Sequence, residues 1–275
     1  TPNEALNQTA LGNAPAESSC FMHGVLASSL AGARRSAERA QARKIQLLAG
    51  TPWPVSWRLP AVDLEPGTEL REALIVVQGP PLTAELHGLE GLLPVIERRQ
   101  GGEAGVRGVR FLKGPDVWKA GESGRWSWPL LAAALSRSNS PQGNAVKDGR
   151  TEDLVGLGLV PKLAREPRGW LIEHSDGLRS TVLVLDGVVA DYNFAVQKRD
   201  GTIVSAQIYR PPAPADHQYS RLAEVLEQFF RSAKSPWPLG RNILTAGLLE
   251  VLKKGAAAGD GVVATPELAP LAYSR

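Results

Sequence analysis

The chain is poor in the residues that most often build reactive or stapled sites. It has one cysteine, Cys20, in 275 residues, which excludes an intrachain disulfide and any metal site made of several thiolates. It has four histidines, His23, His87, His174 and His217, and no two share the close helical spacing of a zinc-binding pair. Long apolar runs are missing as well. Stretches such as Ala73 to Val77 and Leu130 to Leu135 are far shorter than the roughly 20 residues a membrane-spanning helix needs. A single methionine, Met22, and a first residue Thr1 fit a cleaved export signal, a proteolysed start or a sequence boundary alike, so the sequence leaves localisation open.

Charge of one sign is also scarce. The formal net charge is only +3, and the densest basic run, Arg34, Arg35, Arg39, Arg43 and Lys44, lies on one predicted helix beside Glu38. Basic residues are nowhere interleaved with aromatics as in a single-strand binder, so a solvated helix face is expected and nucleic acid is not a predicted partner. Hydrophobic residues make up 43% and charged residues 21%, proportions that permit a full globular core without staples.

Three units follow from the patterning. The first, residues 1–69, combines a polar, aperiodic stretch up to Cys20, read as a flexible or surface-draped arm, with a helix and a short strand near Lys44 to Leu48. The proline-rich "LPAVDLEPGTE" then reads as a boundary. In the second unit, residues 70–258, Ala73 to Gln78 reads as a strand and "AELHGLEGLLPVIERRQGG" as an amphipathic helix with Leu86, Leu89, Leu93 and Ile96 on one stripe. Pro94 should kink that helix or restart it, the glycines end it, and Val106 to Lys113 returns as a strand. "WSWPLLAAALSRS" reads as a helix and "NSPQGNAVKDGRTEDLVG" as a surface loop. Asp176-Gly177, Asp186-Gly187 and Asp200-Gly201 separate four β-rich runs, which predicts an antiparallel meander. Alternation of Tyr192, Phe194 and Val196 with Asp191, Asn193 and Gln197 predicts one buried and one wetter face. Two helices follow, near 220–230 and 240–254, and residues 259–275 form a tail that packs as a strap or frays.

Candidate chemistry is sparse. No glycine-rich stretch follows a strand and opens a helix with dinucleotide spacing, and no phosphate-cradling lysine motif is present. Ser28, Ser29, Ser36, Ser175 and Ser180 lack the strand-turn-helix elbow of a nucleophilic serine. His87, with Glu90 three residues on, is placed to look into a cleft, either as an acid/base or as the polar shoulder of a buried helix. Seven tryptophans lie mostly in loops, beside arginines such as Arg58 and Arg125. Trp57, Arg58 and Trp126 are therefore candidates for stacking on a sugar or polyol, although loop aromatics can equally staple loops to a core.

The order of these elements resembles the oxidoreductase family named for glucose-fructose oxidoreductase, inositol dehydrogenase and the rhizopine protein. "FMHGVLASSLAGARRSAERAQARKIQLLAGTPWPV" resembles the segment in which a strand ends in the catalytic lysine and leads to a helix and strand. "LHGLEGLLPVI" resembles the active-site helix, His-x-x-Asp, and the β-rich stretch followed by "EQFFRSAKSPWPLGRNILTAGLLEVLKKGAAAGDGVV" resembles the substrate-domain sheet and closing helices. The resemblance implies an α/β (α+β) fold: a truncated Rossmann-like segment plus a domain whose mostly antiparallel sheet carries helices on one face and offers its other face, residues 169–210, to a protein partner or second copy. It also implies a nicotinamide cofactor, NAD(P), held by an N-terminal Rossmann half that would end before this chain begins. Two positions depart from the pattern: Gly24 stands at the lysine and Thr83 at the aspartate four residues before the histidine. Only His87 and Glu90 remain as catalytic candidates. The expectation is a homologue that binds no cofactor alone and serves as a binding or scaffold subunit, with an active sugar or polyol oxidoreductase, its cofactor half cleaved off, omitted or supplied by another chain, as the alternative.

Overall fold

The computed structural model describes residues 4–139, 146–147, 150–211, 217–258 and 261–274. The first unit opens with helix α1 (Glu4–Asn13), strand β1 (Ser19–His23), helix α2 (Leu30–Ala42) and strand β2 (Gln46–Gly50). β1 and β2 pair in parallel across the α2 crossover. Ser29 caps α2, accepting from the Gly32 N–H, and Lys44 turns the chain back in the left-handed region at φ 54, so β2 begins two residues later than its apolar pattern suggests. The arm up to Cys20 is not draped loosely. Leu11 of α1 is fully buried, and Arg43 donates to the carbonyls of Leu11, Gly12 and Ala14, supplying the partners that a helix C-terminus lacks. Arg35 pairs with Glu4 and Arg39 reaches Gln8, so part of the basic run serves this docking rather than a polyanion.

After a 3-10 turn (Trp53–Val55) come β3 (Trp57–Leu59), β4 (Leu70–Val77), α3 (Thr83–Ile96), β5 (Glu103–Ala104) and β6 (Val106–Lys113). Helices α4 (Pro115–Glu122) and α5 (Trp128–Leu135) follow, then β7 (Val146–Lys147), β8 (Arg150–Thr151) and α6 (Val160–Leu163). The expected loop around residues 138–156 falls partly outside the described residues. The β-rich stretch supplies β9 (Arg165–His174), β10 (Arg179–Asp186), β11 (Tyr192–Lys198) and β12 (Ile203–Tyr209). Helices α7 (His217–Ser232) and α8 (Leu239–Ala258) and strands β13 (Val262–Ala264) and β14 (Ala272–Tyr273) complete the chain.

Eight strands form one sheet in the order β13-β6-β9-β10-β4-β11-β12-β3, antiparallel throughout except where β4 runs parallel to β10. The simple meander needs correcting. Asp176-Gly177 and Asp200-Gly201 join paired hairpins, but β4 lies between β10 and β11. Asp186 instead accepts the Gly79 N–H at the end of β4. An Asp-Gly pair specifies a reversal, not which strand lies alongside. β3 pairs with β12, so residues ahead of the proline-rich segment also belong to this sheet.

Both faces of the sheet are covered. Ala73, Ile75 and Val77 of β4 enter the core beneath α3 and α8, whereas Leu74 and Val76 enter a second core with α4, α5 and α6. The expectation of helices on one face and an open, wetter opposite face is therefore corrected: Tyr192 through Val196 are all buried. The segment between β6 and β9 covers the second face because Leu130, Leu131 and Ala134 give α5 an apolar side. The tail packs as a strap, with β13 on β6 and β14 on β5.

Candidate functional site

The position of His87 follows from glycines on its own helix. A Cβ at Gly91 would come within 2.5 Å of Ile208 Cδ1 and 2.9 Å of Ile75 Cδ1, and one at Gly88 within 2.7 Å of Val182 Cγ1. Only glycine permits so close an approach between helix and sheet. Drawn down on this stripe, α3 carries His87 at its flank, against the turn after β2 and the start of β11. The imidazole lies 4.9 Å from the Trp53 ring and 5.9 Å from the Tyr192 ring, centroid to centroid, and the last two are 4.4 Å apart. The Tyr192 hydroxyl is 3.5 Å from His87 Nδ1 and 3.4 Å from the Gln78 carbonyl, long and therefore weak contacts.

Burial, aided by the positive charge of Arg210, pulls the His87 pKa down to about 4. The ring is neutral near pH 7. Burial also raises the Tyr192 pKa, opposed by Arg210, so the phenol keeps its proton. Trp53 and Tyr192 are 6% and 5% exposed, so the imidazole, phenol and indole pack mainly on one another. A general acid/base near neutrality would need a pKa closer to the working pH.

Glu90 is 1% exposed and turns away from His87. Its Oε2 accepts from the Thr51 N–H at 3.1 Å and from Thr51 Oγ1 at 3.0 Å, tying the end of β2 to α3. Burial raises its pKa, opposed by the Thr51 hydrogen bonds and by Arg241. The two candidates share a helix without forming a relay. At Gly24, φ is 87° and nothing lies within 4 Å of where a Cβ would project. The following residues Val25, Leu26 and Ala27 are buried, and Asn242 holds the loop by accepting from the Leu26 N–H and donating to the Gly24 carbonyl. Thr83 opens α3.

Trp57 and Arg58 lie elsewhere, on edge strand β3. Trp57 is 44% exposed. Arg58 pairs with Asp63 and its guanidinium sits 5.6 Å over the Phe194 ring. Both line a cavity of about 490 Å³ between the 3-10 turn, the Pro94 end of α3, α7 and α8, which His87 does not line. Trp126 needs correction as a ligand-binding candidate. It is 1% exposed, donates from Nε1 to the Val117 carbonyl at 2.8 Å and packs 4.5 Å from Trp128 in the core on the opposite side of the sheet. It staples the α4–α5 link.

Of the other histidines, His174 is fully buried, with Nδ1 2.9 Å from Glu103 and Nε2 2.8 Å from Ser180 Oγ. The order serine, histidine, carboxylate imitates a nucleophilic relay, but Ser180 is 2% exposed, so the trio locks β5, β9 and β10 together. His23 is exposed beside Tyr219, and the His217 side chain lies outside the described residues. Among the described residues no group of three or more His, Cys, Asp or Glu could hold a metal ion, and no helix is long and apolar enough to cross a membrane. Trp53, Thr51 and Tyr192 were not singled out from the sequence as site residues. The signal for the first two was their place just past the carboxyl end of a parallel strand, where α/β folds gather ligands.

No family model and no curated protein sequence matches the chain. Among solved structures, it is similar to GenD2 from gentamicin A biosynthesis, in complex with NAD, at TM-score 0.56 and 13% identity over 95% of this chain and 75% of that one. It is also similar to myo-inositol dehydrogenase from Lactobacillus casei, in complex with NAD(H) and myo-inositol, at TM-score 0.54 and 12% identity over 96% and 74%. A putative myo-inositol dehydrogenase from Sinorhizobium meliloti 1021 gives TM-score 0.56 and 10% identity over 95% and 77%. At such identities the likeness shows the fold, an α/β architecture with a Rossmann-like portion and a large, mostly antiparallel sheet flanked by helices.

A dinucleotide's pyrophosphate at the parallel crossover of this chain would need free amides at the start of α2. There the Leu30 N–H is taken by the Glu250 carboxylate at 2.9 Å, the Gly32 N–H by Ser29 Oγ and the Ala33 N–H by the Ser29 carbonyl. The Glu250 carboxylate would also repel the phosphates.

Proposed function

We propose that this oxidoreductase-fold chain does not transfer hydride alone and acts as a binding or scaffold subunit in a homo- or hetero-oligomer, taking a sugar or polyol at the cavity that Trp57 and Arg58 line. The observation that carries this reading is the direction of Glu90. Its carboxylate answers Thr51, so among the described residues no carboxylate is hydrogen-bonded to His87 to orient it or hold a proton on it, and Gly24 offers no ammonium to polarise a carbinol oxygen. His87 then serves as a neutral, partly buried packing and hydrogen-bonding group, apart from the Trp57 and Arg58 cavity. The oligomer surface proposed within residues 169–210 is narrower than an entire open sheet face. It centres on the β9–β10 end around Glu173 and Arg179, whose side chains are about half exposed, beside a small depression.

The test is calorimetric titration of the chain with myo-inositol and simple hexoses, and separately with NAD(H) and NADP(H), alongside sedimentation velocity. Polyol binding that is lost in Trp57→Ala, without nicotinamide binding, supports the reading. Nicotinamide binding with polyol-dependent reduction by this chain alone overturns it.

A second reading is an active NAD(P)-dependent sugar or polyol oxidoreductase whose cofactor-binding half is supplied by another chain. Its support is the fold shared with dehydrogenases solved with NAD and myo-inositol, and reconstituted turnover with a co-purifying chain distinguishes it.

A further inference from the structure

A second cleft, of about 380 Å³, opens beside the start of α3, lined by residues of β6, β9 and α8. Its inner wall is apolar and aromatic. Phe111 and Trp170 lie 4.3 Å apart, centroid to centroid, beside Leu252. At its lip Leu82 is 37% exposed and held in the left-handed region at φ 67, a conformation that bulky side chains adopt only against strain.

The charges around this wall are unbalanced. Lys113 of β6 and Arg168 of β9 stand directly opposite each other in the sheet register, a like-charge placement that opposes pairing. Glu85, buried beneath, neutralises Arg168 at 3.1 Å and also faces the Trp170 indole N–H at 3.4 Å. That leaves Lys113, and across the cleft Lys253, without a hydrogen bond or salt bridge among the described residues, although the Glu250 carboxylate paired with Lys254 also feels the Lys253 charge. Two ammonium groups without a direct partner thus flank an aromatic cleft of small-ligand size.

We propose that this cleft binds an aryl carboxylate. The ring lies along Phe111, Trp170 and Leu252, and the carboxylate sits between the Lys113 and Lys253 ammonium groups. The site is separate from the surface around His87 and does not rest on the function proposed above.

The probe is 1-naphthoate, with uncharged 1-naphthamide as its match in shape, titrated into the full chain and read by calorimetry and tryptophan fluorescence. Naphthoate should bind about tenfold tighter than the amide, more weakly as salt rises, and about tenfold more weakly to the K113A/K253A double variant. Because Lys113 is exposed and Lys253 half-buried, that variant should keep the wild-type circular dichroism and melting. A K253E variant, reversing one charge while leaving the apolar wall intact, should weaken naphthoate but not naphthamide. Equal binding of the two probes, no naphthoate binding at millimolar concentration, or undiminished binding to the folded double variant each overturns the proposal.

Discussion

His87 makes the sharpest residue-scale prediction because its folded pKa, about 4, lies below the ordinary 6.5. Between those values the unfolded chain takes up a proton that the folded chain refuses. Stability contributed by the neutral ring is therefore fully present above 6.5 and is lost as pH falls towards 4. The loss should be about 2 kcal/mol, discounted for the ring's partial contact with water. Urea denaturation across that interval should show the slope, and His87→Asn should flatten it. Glu90 gives a second contrast. Glu90→Ala leaves two Thr51 donors without a partner in a buried site and should cost about 2–4 kcal/mol, whereas Glu90→Gln keeps an acceptor and should cost about 1 kcal/mol. If both variants melt alike, the Thr51 clamp is not what Glu90 provides. The sequence made His87 visible because a polar residue stood beside an apolar stripe. It could not show which way Glu90 turned, because three-residue spacing brings two side chains to neighbouring positions without joining them.

Elements were legible wherever periodicity or turn chemistry was strong. The Leu86, Leu89, Leu93 and Ile96 stripe located α3, and two Asp-Gly pairs located true hairpins. Pro94 did not restart the helix, which runs on as one element to Ile96. What local pattern could not reveal was the insertion of β4 between β10 and β11, a pairing set by contacts distant in sequence. Nor could it reveal that α4 and α5 close the second face, which requires knowing where a chain segment returns. Trp126 was misread for the same reason: a loop tryptophan and a core tryptophan look alike until the covering helix is placed. The contact between α3 and the sheet is the element the site depends on most. Gly91→Ala should force Ile208 or Ile75 aside and cost about 1–3 kcal/mol, with a weaker tryptophan signal from Trp53 as α3 lifts; an unchanged melting curve would mean the helix sits farther from the sheet than described.

At the scale of the whole molecule, α8 joins the two parts. It packs on α2 and β2 of the small parallel unit and on α3 and β6 of the large sheet, and its Glu250 and Asn242 occupy the donors and loop that close the first crossover. The resemblance visible in the order of elements holds at the level of fold, while Gly24 and Thr83 stand where it leads one to expect a lysine and an aspartate. The most direct measurement is a calorimetric titration of this chain alone with NADH. The account predicts no heat of binding and no polyol-dependent change in nicotinamide fluorescence; saturable binding that is lost in His87→Ala would contradict it.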